Sequence, residues 1–163
     1  MGATIAVYAG SFDPITWGHL DLIERASSLF EVLLVSIGIH PTRVPLFTIQ
    51  ERLELTRGVV AAWKNVHVET FDGLLVDYCC QKGARVIVRG LRAVMDFENE
   101  LQVAHANADL APSVDTIFLP TRTRHGFVSA SLVREIAKYG GDVSRYAPPL
   151  VCQALRDKFR RSA

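Results

Sequence analysis

Short apolar runs alternate along this chain with segments in which apolar residues recur every three or four positions. The runs "TIAVYA", "EVLLVSIGI", "VHVET", "RVIVR" and "DTIFL" are rich in β-branched residues and five to nine residues long. That is the pattern of strands buried on both faces, not of half-exposed ones. Between them lie "WGHLDLIERASSLF", "IQERLELTRGVVAAW", "LLVDYCCQK" and "DFENELQVAHANADL", which read as helices. In the last of these Phe97, Leu101, Ala104 and Ala108 fall on one helical face. Thr48 and Glu51 make a capping box for the second helix, and Gly83 ends the third. The segment "SASLVREIAKYG" predicts a further helix closed by Gly140-Gly141, and a last one follows Pro148-Pro149 over about residues 149–159.

Strands alternating with helices in this way predict an α/β fold: one five-stranded parallel sheet with helices on both faces. No internal repeat, low-complexity segment or linker interrupts the pattern, so residues 1–163 are read as a single domain, with the C-terminal helix packed on it. In such sheets ligands bind outside the carboxyl ends of the strands, at the point where the strand order reverses. The residues at those ends are therefore the ones to read for chemistry.

Composition narrows the field only slightly. Hydrophobic residues make up 49% and charged ones 21%, the balance of a chain that can bury a core. With 18 basic and 17 acidic residues the net charge is +1, which argues against a broad nucleic-acid-binding face but permits a small basic pocket. No apolar run approaches membrane-spanning length and the N-terminus lacks the pattern of a signal peptide, so a cytoplasmic protein without a membrane partner is expected. Cys79, Cys80 and Cys152 show no metal or redox spacing and read as reduced thiols.

The first strand ends at Gly10-Ser11-Phe12, and His19 lies in the first turn of the next helix. Gly10 would let a ligand approach the backbone, Ser11 offers a hydroxyl and an N–H, and the helix N-terminus favours an anion. The plain alternative is that Ser11 and Thr16 cap turns and His19 is a surface histidine. The fourth strand ends in Arg89, Gly90 and Arg92, suited to phosphate, although Asp96, Glu98 or Glu100 could instead pair with the arginines. Glu100 could equally accept a hydrogen bond from a ribose hydroxyl. After the last strand, Arg122, Arg124 and His125 precede Ser129 and Ser131 at a helix start; Ser129 alone would be an ordinary N-cap. The loop after the second strand adds Arg43. Phosphate-friendly groups thus collect at four strand ends, with no Walker A or GxGxxG sequence and no carboxylate cluster for a protein-built metal cage.

These segments resemble a known family. "GSFDPITWGH" is similar to the (S/T)FDPxTxGH signature of small nucleotidyltransferases related to the class I aminoacyl-tRNA synthetase catalytic domain. "RGLRAVMDFENE" resembles the RGLRxxxDFEYE segment of the bacterial phosphopantetheine adenylyltransferases, "FVSASLVRE" their FISSSLVKE segment, and "GDVSRYAP" also fits. The resemblance spans about residues 4–159 and implies a Rossmann-like fold. It implies transfer of the adenylyl group of ATP to 4′-phosphopantetheine, giving dephospho-coenzyme A and pyrophosphate, with Mg²⁺ accompanying the nucleotide. It further implies a homohexamer and coenzyme A as a feedback ligand.

By the same resemblance His19, Ser11, Arg43 and Arg92 form the catalytic set. ATP would be held by Ser11, Phe12, His19, Gly90, Leu91, Arg92, Glu100, His125, Gly126, Phe127, Val128, Ser129, Ala130 and Ser131. Phosphopantetheine would be held by Ser11, Arg43, Leu75 and Arg89. The chain departs from the family's pattern at Arg43, where lysine is common, at Asn99, often tyrosine, and at Ala130, the middle serine of its triplet. Another adenylyl- or cytidylyltransferase of the superfamily, acting for example on nicotinamide mononucleotide, and a non-catalytic nucleotide- or coenzyme-A-binding module remain the alternatives.

Overall fold

The computed structural model describes residues 4–39, 42, 44–92 and 94–160, with the backbone alone for 94–96. The strands are β1 (Ile5–Gly10), β2 (Val32–Gly38), β3 (Val66–Phe71), β4 (Val86–Leu91) and β5 (Asp115–Pro120). The helices are α1 (Trp17–Leu29), α2 (Ile49–Val60), α3 (Leu75–Lys82), α4 (Val94–Leu110), α5 (Ala130–Lys138) and α6 (Pro149–Arg160), with a 3₁₀ turn at Thr123–His125. All five strands run parallel in the order β3-β2-β1-β4-β5. The chain winds outward from β1 through β2 to β3, then returns to the other side of β1 for β4 and β5. The order therefore reverses between β1 and β4, where Ala6, Val7 and Tyr8 register with Val86, Ile87 and Val88.

Alternation along β1 sends its side chains to two separate cores. Ala6 and Tyr8 join Leu33, Val35 and Ile37 under α1, α2, α5 and α6, with Leu22, Ile23, Val133, Val151 and Leu155 all buried there. Val7 and Ala9 face the other way, onto Val76, Tyr78 and Cys79 of α3 and onto Ala111 and Val114. Both faces are covered, which is why the strands read as continuous apolar runs. Cys79 and Cys152 are buried, Cys80 is exposed, and all three are free.

Two elements differ from the sequence reading. Helix α2 ends at Val60, not Trp63, because the chain must turn at once to feed β3: Trp63 N–H bonds the Val60 carbonyl and Val66 N–H the Trp63 carbonyl. Helix α4 has its apolar stripe, but no residue from 97 to 110 is buried; Leu101 and Ala104 are half-buried and Phe97 is 40% exposed, resting on Phe118 at the sheet edge.

Candidate active site

A cavity of about 500 Å³ opens where the carboxyl ends of β1 and β4 separate, a volume in the usual range for small-molecule sites. It is lined by residues 8–12 at the end of β1, by Thr16, Gly18, His19 and Leu22 at and after the start of α1, by Arg89, Gly90 and Arg92, by Glu100 of α4, and by Thr121 with residues 128–131 and Arg134. Strand ends remote in sequence thus share one pocket.

His19 is set by its own helix. Thr16 is the N-cap of α1 and is almost completely buried; its hydroxyl accepts the His19 N–H at 3.4 Å. In return, His19 Nδ1 accepts the Thr16 backbone N–H at 3.0 Å and lies 3.1 Å from the Thr16 hydroxyl. This is a capping box with histidine in the place usually held by Glu or Gln. An Nδ1 that accepts cannot carry the proton, so the neutral ring has its proton on Nε2, the nitrogen left for a ligand. Burial, with Arg92 adding repulsion, lowers the His19 pKa to about 4. At neutral pH the site presents an uncharged N–H donor, not an imidazolium.

The loop after β1 is anchored on all sides. The Asp13 carboxylate, itself buried, accepts the backbone N–H groups of Leu46 and Phe47 at 2.8 and 2.9 Å. Its carbonyl accepts from the Arg134 guanidinium, which also lies 3.7 Å from the Asp13 carboxylate. Arg52, 7% exposed, donates to the Ser11 carbonyl at 2.9 Å. Asp13 thereby ties the β1 loop to the loop that carries residue 43. Neither Arg52 nor Arg134 was singled out from sequence. Arg52 sits at the helical spacing of Leu55 and Thr56, a charge inside a buried stripe, and that was the available signal.

Phe12 lines the cavity with its ring turned into the core. It has a left-handed backbone, φ 44°, and its ring is 2% exposed, edge-on to Tyr8 at 5.4 Å and to His19 at 5.1 Å. The ring belongs to the core, so only its main chain is placed to lie along a ligand. It also explains Gly10, whose missing side chain does not clear room for a ligand: a Cβ there would stand 3.2 Å from the Phe12 ring. Gly90 likewise serves packing, since its Cβ would meet Leu22 Cδ1 at 2.3 Å, and the leucine would have to turn aside.

Arg89 donates from Nε and Nη2 to both oxygens of Glu100, at 2.6 and 2.7 Å, and from Nη1 to the Ala9 carbonyl at 3.0 Å. Of the two possibilities open for these arginines, pairing with a carboxylate is realised at Arg89, and Glu100, which also lines the cavity, is its partner. Burial works against the Arg89 charge, but the hydrogen bonds and negative charge of Glu100 outweigh it and raise the guanidinium's pKa. Arg92 reaches across to the Val128 carbonyl at 3.4 Å. Ser129 caps α5, accepting the Leu132 N–H at 3.1 Å, and its hydroxyl is 3.1 Å from that of Ser131. Val128, Ser129, Ala130 and Ser131 line the cavity.

Other sequence-predicted residues lie away from its wall. Leu91 is half-buried at the end of β4. Leu75 opens α3 and packs on the core of the opposite sheet face; β3, which precedes it, is two strands from β1, roughly 10 Å away. His125 borders a second cavity across α1, beside Trp17 and Asp21, and accepts from Arg124 Nε at 3.1 Å. Gly126 follows it as the cap of the 3₁₀ turn, and Phe127 is exposed, edge-on to Tyr146 at 5.8 Å. Arg43 lies outside the described residues. Asp21, 4% exposed, binds Arg25 at 3.4 Å and Arg122 at 3.1 Å, and so fixes the start of this whole segment to α1.

Comparison with known proteins identifies the family. Residues 7–136 match the family described as cytidylyltransferase-like. The chain is 52% identical over 156 residues to a phosphopantetheine adenylyltransferase of Heliobacterium modesticaldum, covering 96% of this chain and 93% of that one. It is 55% identical over 155 residues to one of a Synechococcus species, covering 95% and 98%. Among solved structures, the nicotinic acid mononucleotide adenylyltransferase of Plasmodium falciparum, complexed with NaAD, superposes with a TM-score of 0.66 at 16% identity over 99% of this chain and 96% of that one, a likeness of fold. The chain therefore belongs to the phosphopantetheine adenylyltransferase family of cytidylyltransferase-like nucleotidyltransferases.

Proposed function

We propose that this protein transfers the adenylyl group of ATP to 4′-phosphopantetheine, releasing pyrophosphate and forming dephospho-coenzyme A. The observation that carries the reading is the shared cavity at the β1–β4 switch point, walled by His19, Arg89, Arg92 and the start of α5. An oxygen of the acceptor phosphate attacks the α-phosphorus of ATP, and the bond from that phosphorus to the oxygen bridging to the β-phosphate breaks. The attacking oxygen is already ionised at neutral pH, so the site needs no strong base. It needs positioning and a response to charge building on the α-phosphate.

His19 supplies that response through its Nε2–H, in the tautomer that Thr16 holds. The N-terminus of α1 and Arg92 add positive potential at the same point. Ser11 faces both substrates, Arg89 takes the acceptor phosphate, and Val128 to Ser131 hold the nucleotide. Arg43 is assigned to the acceptor phosphate by family resemblance. From there the pantetheine chain runs along the carboxyl edge toward Leu75, a distance that suits a long, flexible tail. The segment from His125 to Phe127 and the backbone at Leu91 complete the nucleotide site in this reading.

The residues fit a Mg²⁺ ion carried by the triphosphate. Among the described residues no group of three or more His, Cys, Asp or Glu is placed to hold a metal, and Glu100 is engaged with Arg89. When bound, the ion neutralises charge on the phosphates. We also propose a homohexamer, supported by α4, where Val103 and Leu110, seven residues apart on one helical face, stay 51% and 59% exposed, an apolar surface suited to a second copy. Coenzyme A, which shares the pantetheine chain and the adenylate with the product, is the proposed feedback ligand of the same cavity. No described helix is long and apolar enough to cross a membrane, in keeping with a cytoplasmic enzyme.

The test is pyrophosphate release from ATP and Mg²⁺ with 4′-phosphopantetheine, set against nicotinamide mononucleotide as acceptor. Release with the first and not the second is expected. The reverse would move the protein to another branch of the superfamily, and tight ATP binding with no transfer would make it a binding module. Light scattering reads the hexamer.

A further inference from the structure

Two tyrosines are buried in this fold, Tyr8 and Tyr78. The Tyr78 hydroxyl is satisfied within the protein: it accepts from Ser36 and donates to Glu69, both at 3.0 Å. The Tyr8 hydroxyl has no hydrogen-bond partner among the described residues. Its ring packs edge-on to Phe12 at 5.4 Å and lies 6.5 Å from the His19 ring. Toward the carboxyl end of β1 and β4, the next positions on the same face are Gly10 and Gly90. The Phe12 ring and Leu22 close over them, and neither side chain offers an acceptor. The oxygen is not sealed into the core, however, because Tyr8 lines the cavity. A phenylalanine would fill the same space, so packing does not account for the hydroxyl.

We infer that Tyr8 is a further substrate-binding residue, whose hydroxyl donates a hydrogen bond to the phosphate of the acceptor. The inference rests on Arg89 serving that phosphate, as proposed above. Tyr8 registers with Val88, the residue before Arg89, and Arg89 Nη1 donates to the carbonyl of Ala9, the residue after Tyr8. The phenol thus rises beside Arg89. Burial raises its pKa well above the ordinary value, although Arg89 and, less strongly, Arg92 pull it down. At neutral pH it is therefore a neutral O–H donor set among positive charges. An acceptor drawn into that potential is an anionic oxygen, and an O–H bonded to such an oxygen is stronger than one bonded to a neutral group. The arginines supply charge. The phenol, rigid on a central strand and packed against Phe12, adds direction without adding charge.

Tyr8→Phe deletes the hydroxyl and keeps the ring. Because the hydroxyl has no partner in the protein, the thermal midpoint of the free enzyme should not fall. Titration calorimetry should show 4′-phosphopantetheine bound about tenfold more weakly, and pantetheine, which lacks the phosphate, bound within about twofold of the parent. In steady-state kinetics KM for the acceptor should rise about tenfold with kcat nearly unchanged, since the contact is present before and during transfer; KM for ATP should stay within about twofold. Equal weakening of pantetheine and 4′-phosphopantetheine would overturn the inference, because the hydroxyl would then meet the chain and not the phosphate. A raised KM for ATP with the acceptor unaffected would overturn it in favour of a nucleotide contact. A lower thermal midpoint with unchanged affinities would overturn it by making the hydroxyl structural. Failure of the underlying function looks different: the parent enzyme itself would release no pyrophosphate with 4′-phosphopantetheine.

Discussion

Replacing His19 by alanine isolates what a single neutral donor contributes. The ring's Nδ1 is engaged with Thr16 and its pKa lies at about 4, against 6.5 for an ordinary histidine. Between pH 5.5 and 8 it therefore stays almost wholly uncharged and donates from Nε2 throughout. Loss of one well-placed donor at a developing oxyanion costs about 3 to 4 kcal/mol in the transition state, so kcat should fall by about a hundredfold to a thousandfold while ATP affinity changes little. The acceptor's phosphate has a second ionisation near pH 6, which will shape the profile of parent and variant alike. The informative quantity is the ratio of their kcat values, measured by pyrophosphate release, because the acceptor's ionisation cancels from it. That ratio should be flat from pH 5.5 to 8. Stability has its own signature, with a definite sign. Folding lowers the proton affinity of His19, so as the pH falls the unfolded chain takes up the proton first. His19 costs nothing above about pH 6.5, then removes up to about 3 kcal/mol between pH 6.5 and 4. Denaturant melts should show this acid loss in the parent and not in His19→Ala. A ratio that changes steeply around pH 6 to 7 would mean that the imidazole titrates during turnover and that the neutral-donor reasoning is wrong. A ratio near one would remove His19 from the chemistry altogether.

Other perturbations report on the frame around that donor. Asp13→Ala strips two buried backbone N–H groups of their acceptor and should destabilise the fold by about 3 kcal/mol or more, read as a lower urea midpoint at unchanged m-value, with Asp13→Asn intermediate. Gly90→Ala drives a methyl into Leu22 and should cost about 1 to 3 kcal/mol by thermal unfolding, and the two effects should be less than additive in the Gly90→Ala, Leu22→Ala double variant. In the native protein Cys80 alone among the three cysteines should react promptly with a thiol reagent, since Cys79 and Cys152 are buried and burial pushes the Cys79 thiol up to about 11; three fast thiols would contradict the packing of α3.

The same frame accounts for what the sequence could and could not disclose. Strand and helix positions were legible because a parallel sheet covered on both faces demands unbroken apolar runs, and because Thr48, Gly83 and Ser129 carry cap chemistry that acts within a few residues. The location of the pocket was legible for a related reason: parallel strands deliver all their carboxyl ends to one edge, so Gly10, Arg89 and Ser129 had to face the same side. What sequence left open were questions of partner choice across the fold. Arg89 could have taken a carboxylate or a ligand, and only the placement of α4 beside β4 settles that it holds Glu100 while keeping two donors for the cavity. Gly10 looked like an opening for a ligand, yet it makes room for a side chain of the protein, Phe12, as Gly90 does for Leu22. His19 illustrates the middle ground. Its position at a helix start was visible, but its protonation depends on Thr16 three residues back and on Arg92 more than seventy residues on. Local rules therefore find the groups, while long-range packing decides their charge, their orientation and whether their donors are already taken. In a site that works by positioning and not by a strong base, those three properties are the mechanism.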